Sequence, residues 1–299
     1  MKNRTGVKIH YICVCRIVKK TTTMQRTITF SLYALFLLSL TITGSFAQDP
    51  RSVLSDSHEA GEETHHLFNG TDLTGWYTFL EERGRNNDPK DVFTVQDGMI
   101  RISGEEWGCI TTNKEYGDYH IVVEYKWGTL TYPPRKNKAR DCGLLLHSRG
   151  EDGSSGGRWI HSIECQMIEG GTGDIIVVGD GSDRFSVTAP VAPEKQGNSY
   201  VYQPGGQKVT INSGRINWIR RDPNWKDTLG FRGKQDVENP VGEWNTLECI
   251  ADGDQLTILL NGQVVNKATK LKPRKGKIQI QSESAEVFIR RVDLMSVQK

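Results

Sequence analysis

Helical periodicity is missing from this chain. No segment repeats apolar residues at intervals of three and four for long enough to build a helix. A surplus of either charge is missing too. The 38 Lys and Arg stand against 36 Asp and Glu, for a net charge of +2. That balance argues against nucleic acid or an acidic membrane as partner. Several basic residues fall within the first 26 positions, so the remainder is nearer neutral or acidic. Cysteine is sparse and never shows C-x-x-C metal spacing. Long apolar runs are absent but for one, Ile28 to Thr43.

That run reads ITFSLYALFLLSLTIT, with Arg26 before it and Ser45-Phe46-Ala47 after it. A basic flank, a short apolar stretch and small residues at −3 and −1 describe a secretory leader. At about 16 residues it is short for a membrane span, which needs roughly 20. The expected start is Met24, with residues 1–23 an upstream extension from a wrongly chosen start codon. The leader would then be residues 24–47, cleaved after Ala47, with export to the periplasm or beyond and no membrane attachment afterwards. No cysteine stands at the cleavage point to take a lipid. Residues 48–66 are polar and aperiodic and read as a linker, with His65-His66 solvated at its end.

What is present has a period of two. From Tyr119 to Trp127, residues Tyr119, Ile121, Val123, Tyr125 and Trp127 share one face, and His120, Glu124 and Lys126 the other. That is a strand with one buried face. Similar stretches fall at 92–95, 99–102, 143–148, 162–168, 174–178, 245–251, 255–260, 263–268, 277–281 and 287–295. Asn261-Gly262 between apolar runs signals a type I′ hairpin. With 31 glycines to make turns, the chain reads as all-β: a jelly-roll sandwich of two antiparallel sheets over residues 67–299. Two stretches break the rhythm, Glu81 to Lys90 and the long Gly- and Pro-rich Ala189 to Pro240. Four cysteines lie in the expected domain, Cys109, Cys142, Cys165 and Cys249, each in an apolar context suited to a buried thiol as much as to a bridge.

The run SIECQMIEGGTG, Ser162 to Gly173, carries the chemistry. On a strand Glu164 and Gln166 share a face. A bulge near Ile168 would rotate Glu169 back beside them. Two carboxylates on one concave sheet face can divide the acid and base roles of glycosidic cleavage, so Glu164 and Glu169 are the candidate catalytic pair. Gln166, Asp141, His147, Arg149 and Glu283 are candidate substrate contacts, and Trp76 and Trp225 candidate sugar platforms, with Trp107 a further one; Trp127 reads as core. Gly153-Ser154-Ser155-Gly156-Gly157 matches a nucleophile-elbow pattern but lacks its strand–turn–helix context. No organic cofactor is indicated. A divalent metal such as calcium is not indicated by spacing, and Asp180-Gly181-Ser182-Asp183 reads as a plain turn.

Several motifs, in order, resemble the 3-keto-disaccharide hydrolase family. They are Leu67-Phe68-Asn69-Gly70 with Leu73-Thr74-Gly75-Trp76; Glu115-Tyr116-Gly117-Asp118-Tyr119; Cys142-Gly143-Leu144-Leu145; Glu164-Cys165-Gln166 with Glu169-Gly170-Gly171-Thr172-Gly173-Asp174; Gly242-Glu243-Trp244-Asn245; Leu260-Asn261-Gly262; and Gln281-Ser282-Glu283 through Val292. The resemblance implies a concanavalin-like jelly roll acting on glycosides oxidised at carbon 3. The run is also similar to the E-x-D-x-x-E strand of laminarinase-type glycosidases, except that Gln166 replaces the aspartate. That departure suits elimination and hydration at a keto-sugar better than double displacement. The alternative is a non-catalytic carbohydrate-binding module, which needs aromatics and amides but no acid–base pair. A surface scaffold would show no recess at all.

Overall fold

The structure, a computed structural model, describes residues 64–297. The expected extension 1–23, the leader 24–47 and nearly all of the linker lie outside the described residues.

Two large sheets organise them, and no helix is present among the described residues. One sheet runs, in spatial order, Gln207–Ile211, Ser186–Val191, Gln263–Lys272, Gln255–Leu260, Asn245–Asp252, Tyr119–Thr131, Ala285–Met295, Met99–Ile102 and Phe93–Gln96. The other runs Tyr200–Val201, Gly214–Asn217, Ile175–Val178, Ser162–Ile168, Asp141–Ser148, Lys275–Ser282, Gly108–Thr112, Trp76–Leu80 and Gly84–Arg85. Tyr200–Val201 pairs with its neighbour in parallel; the long central ladders are antiparallel. This is a concanavalin-like jelly-roll sandwich, as the alternation predicts.

The alternating residues fill the space between the sheets. Tyr119, Ile121, Val123, Tyr125 and Trp127 are all buried in one continuous core with Cys142, Leu144, Leu146, Ile163, Cys165 and Met167 from the facing sheet. Burying a side chain of this size stabilises the fold by roughly 1.5–3 kcal/mol. Asn261 and Gly262 both take positive φ, 50° and 74°, as a type I′ turn requires. The four cysteines among the described residues, Cys109, Cys142, Cys165 and Cys249, are buried and free.

The sheet begins earlier than the expected boundary at Leu67. His65–His66 pairs with Asp293 and Leu294, and His66 Nδ1 lies 2.7 Å from Asp293 Oδ1. Edge pairing uses backbone groups and needs no apolar signature. The segment 189–240 is also less irregular than its composition suggests. It carries Gln207–Ile211 and Gly214–Asn217, and Ser186–Val191 runs into it. Pro190 and the solvent-facing side chains of Gln207–Ile211 hide the alternation there.

Candidate active site

Residues 142, 144 and 146 of strand Asp141–Ser148 point into the core, as do 163, 165 and 167 of strand Ser162–Ile168. The intervening residues therefore face outward, away from the partner sheet. Register sets them in rows: Leu145 opposite Glu164, and Gly143 opposite Gln166. Glu164 is in turn opposite Ile176, and Ile176 opposite Arg215. An outward face is ordinarily wet, yet Leu145, Glu164, Gln166, Gln279 and Gln281 are all buried. Loops wall this face off. Ile160 N donates to Gln279 Oε1 at 3.0 Å, Arg135 reaches Asp141 at 2.9 Å, and Arg221 reaches Asp174.

Three carboxylates meet in this recess. Glu164 is only 4% exposed, and burial first, then Asp141, pushes its carboxyl up to about 8. Glu283, in the hairpin after strand Lys275–Ser282, is pushed up to about 7 by burial and then by Glu164. Asp141 is raised well above the usual range by burial and then Glu283, with Arg135 and Arg215 pulling against them. Each carboxylate thus feels another, the arrangement by which active sites set protons apart. Arg215 lowers all three, and Arg158 acts on Glu283 as well.

The side chains on this face are closely packed. A Cβ on Gly143 would collide with both Glu164 Oε1 and Gln281 Oε1, so only glycine leaves room for these two groups. Gln281 Oε1 is buried without a hydrogen-bond partner. Gln166 donates its amide to Asp141 Oδ1, so it orients a carboxylate.

The sequence places four further candidates here, and the structure sets them elsewhere. No bulge turns Glu169. It keeps the phase of Cys165 and Met167 and points toward the partner sheet, where Arg140 meets it. Arg140 Nη1 lies 2.7 Å from Glu169 Oε1, and Arg140 N and Gly230 N each donate to Oε2 at 2.9 Å. Arg140 Nε also donates to Gly128 O of that other sheet. His147 does not share the face of Leu145. Its φ of 54° breaks the alternation, and its ring packs edge-on to Tyr119 at 5.3 Å. Burial depresses its pKa to about 4, so it is neutral at physiological pH. Arg149 lies past the far end of the strand that begins at Asp141, donating Nε–H to Lys275 O. Trp76 is core, its Nε1–H given to Leu67 O at 2.7 Å. Trp225 is half-buried near the recess, with the Arg221 guanidinium 4.3 Å over its ring and its Nε1–H donated to Glu169 O. Trp107 donates to Ser284 Oγ at 2.7 Å, beside Glu283, and stacks on Trp159 at 6.1 Å.

Sequence reasoning missed Asp174, Arg135, Arg215, Arg221 and Gln281 as site residues. Asp174 is fully buried between Arg221 and Arg215, and its Oδ1 accepts from Trp218 N at 2.7 Å. Arg215 was findable by alternation once Gly214–Asn217 is seen as a strand. Arg135 and Arg221 sit on loops, whose placement no period encodes. Among the described residues no group of three or more His, Cys, Asp and Glu is arranged to hold a metal ion.

Among solved structures, the chain is similar to two candidate glycosyl hydrolases from Parabacteroides distasonis. The first is 19% identical with a TM-score of 0.47, covering 82% of this chain and 99% of that one. The second is 15% identical with a TM-score of 0.45, covering 79% and 100%. A β-glucanase from Bacillus licheniformis is 12% identical, with a TM-score of 0.40 and coverage of 80% and 99%. Likenesses this distant carry no argument about chemistry. No curated protein matches the chain. The family model described as the 3-keto-alpha-glucoside-1,2-lyase-like domain matches residues 63–295, a span that includes every strand and every carboxylate of the recess, and the chain belongs to that family.

Proposed function

We propose that this recess cleaves glycosides oxidised at carbon 3, by elimination across carbons 1 and 2 followed by hydration. One observation carries the reading: Asp141 and Glu164, buried on one outward face, are joined by the half-buried Glu283, and the cluster holds Glu164 at about 8 and Glu283 at about 7. Near neutrality such a pair retains about one proton, so one member can accept while the other donates. A binding module has no use for two buried carboxylates with a half-buried third beside them, which are costly to desolvate.

A ketone at carbon 3 acidifies the hydrogen on carbon 2. Glu283, as the carboxylate, takes that proton. The electron pair forms the double bond between carbons 1 and 2 as the bond from carbon 1 to the leaving oxygen breaks. Glu164, as the acid, gives its proton to that oxygen. Glu164 then takes a proton from water as the water oxygen bonds to carbon 1, and Glu283, its proton by then exchanged with solvent, protonates carbon 2. The outcome is net hydrolysis, and both residues recover their starting states. Gln281 Oε1 is buried without a partner and, like Glu164 Oε1, lies beside Gly143, so it is an acceptor available to the acid form. Arg215 supplies fixed positive charge for the oxygen on carbon 3 as charge develops there.

The leader-like segment supports action in the periplasm or outside the cell, and N-terminal sequencing of exported protein should give Gln48. For the chemistry, a panel of 3-keto-glucosides is incubated beside the unoxidised parents with reducing-sugar readout in D2O. Aglycone release from the keto forms alone, with deuterium at carbon 2 of the product, is expected. Release without deuterium would replace elimination by direct displacement. Equal release from the parents would remove the keto requirement.

A further inference from the structure

A second site of opposite charge lies at the other end of the same strands. Strand Asp141–Ser148 begins in the acidic recess and runs into Arg149. Strand Lys275–Ser282 ends beside Glu283 and begins just after Arg274. Strand Ser162–Ile168 carries Glu164 as its third residue and is preceded by His161, about 10 Å away along the strand. Eight residues of strand, about 26 Å at 3.3 Å each, separate Asp141 from Arg149.

A cavity of about 570 Å³ opens there. Its lining includes Arg149, His161, Arg184, Lys272 and Arg274, and no carboxylate. Phe185 supplies an apolar wall, its ring 5.4 Å from that of His161. An adjoining cavity of about 530 Å³ shares Arg149 and Arg274 and adds Lys275. The one carboxylate lining that neighbour, Asp118, already accepts from Gly253 N at 2.8 Å. Ion pairing leaves much of this charge unspent. Arg149 meets Glu115 only at 3.5 Å, and both side chains are nearly half exposed. Arg184 pairs with Asp180 from a largely exposed position. Among the described residues Lys272 and Arg274 make no ion pair.

In a chain whose charges nearly cancel, an acid-free hollow ringed by four permanent cations is a local excess with a direction. Guanidinium groups match carboxylate and sulfate oxygens in pairs. The volume suits a small ligand rather than a flat macromolecular surface, and the apolar part of its lining, from Phe185, Leu271 and Pro273, suits the C–H side of a sugar ring. We propose that this cavity binds anionic sugar units, bearing carboxylate or sulfate, of an acidic oligosaccharide. The site is separate from the catalytic recess and does not depend on its chemistry.

Calorimetric titration of the full protein tests this. The probes are a uronic-acid oligosaccharide, a sulfated oligosaccharide of equal length, a neutral glucan oligosaccharide and single-stranded DNA. Binding of one or both acidic sugars is expected, falling with added salt, with no measurable binding of the neutral one. Which acidic sugar wins identifies the anionic group. Lys272→Glu and Arg274→Glu alter exposed side chains and leave the fold intact. Each is expected to weaken binding by about fivefold, the scale of one exposed ion pair, and more together. Glu164→Gln should bind as wild type, which keeps the outcome apart from the fate of the catalytic reading. Equal binding of the neutral sugar, unchanged binding in both charge reversals, or tighter binding of DNA would overturn the proposal.

Discussion

Glu164 and Glu169 stand five residues apart on one run of chain, and both are buried. Their surroundings could hardly differ more. Glu169 faces the partner sheet and is closed off by Arg140, by two backbone N–H donors and by the loop that Trp225 pins down. Glu164 faces the walled recess among other carboxylates, and burial holds its proton on to about pH 8. Strand phase makes the difference. An odd offset sends two chemically identical side chains to opposite faces of one sheet. One face supplies a direct counter-charge and yields a structural bolt; on the other, burial and neighbouring carboxylates outweigh the arginines and yield a group poised to exchange a proton.

Substitution at each position should separate the two roles. Glu164→Gln removes the acid and keeps the shape. The rate on a 3-keto-glycoside should fall by about 10²- to 10⁴-fold. Thermal stability at pH 8 should hold or rise, because a carboxyl that resists ionisation has gone. A retained rate would take Glu164 out of the mechanism. Glu169→Gln should do the reverse. Leaving Arg140 as an uncompensated buried charge costs about 3–5 kcal/mol, visible as a lower denaturation midpoint, while the rate per folded molecule stays near wild type. A large rate loss in folded Glu169→Gln protein would restore it to the site and erase the contrast.

The sandwich was legible because its signal is local. Alternation along Tyr119–Thr131 and the Asn261-Gly262 turn need no knowledge of distant chain. Glu164 and Gln166 were legible for the same reason, since their common face follows from spacing. His147 was not, because a single positive φ inverted its phase. Glu169 was misassigned by invoking a bulge the chain does not make; regular alternation leaves it facing the partner sheet. The arginines of the recess come from Arg135 in one loop, Arg158 in another and Arg221 in a third. Nothing in their own neighbourhoods announces that they converge on Asp141, Asp174 and Glu283.

Gln166→Glu sharpens the comparison within the recess itself. The new carboxylate would lie where an amide now donates to Asp141. It removes that donor and adds a like charge, and both changes disfavour ionisation of the cluster. A rate loss of about tenfold at pH 7 is expected, smaller than for Glu164→Gln, with the pH optimum moved upward. The wild-type profile of kcat/KM should be bell-shaped, with limbs near 7 and 8 from Glu283 and Glu164. An optimum that stays in place in the variant would mean that Gln166 does not communicate with the titrating pair.

The smallest effect concerns a third buried glutamate, on the structural side of the comparison. Glu238 accepts from Tyr125 Oη–H at 2.6 Å and Trp127 Nε1–H at 2.8 Å, tying the long loop to the core. Those two bonds favour its charged form, yet burial outweighs them and lifts it from 4.5 to about 7. A carboxyl raised in the folded state binds its proton more tightly there than in the unfolded chain. Its contribution to stability is therefore complete below about pH 4.5 and is lost as pH climbs through about 7. Glu238→Gln abolishes that titration. The variant starts somewhat weaker, since its amide brings N–H donors into a site built to donate. Between pH 5 and 8, however, its unfolding free energy should fall less than that of wild type, by about 2 kcal/mol. Paired denaturation curves across that range measure the difference. Parallel slopes would show that Glu238 is already ionised at pH 5, held so by Tyr125 and Trp127, and that these two donors and not burial govern the carboxylates on this side of the sheet.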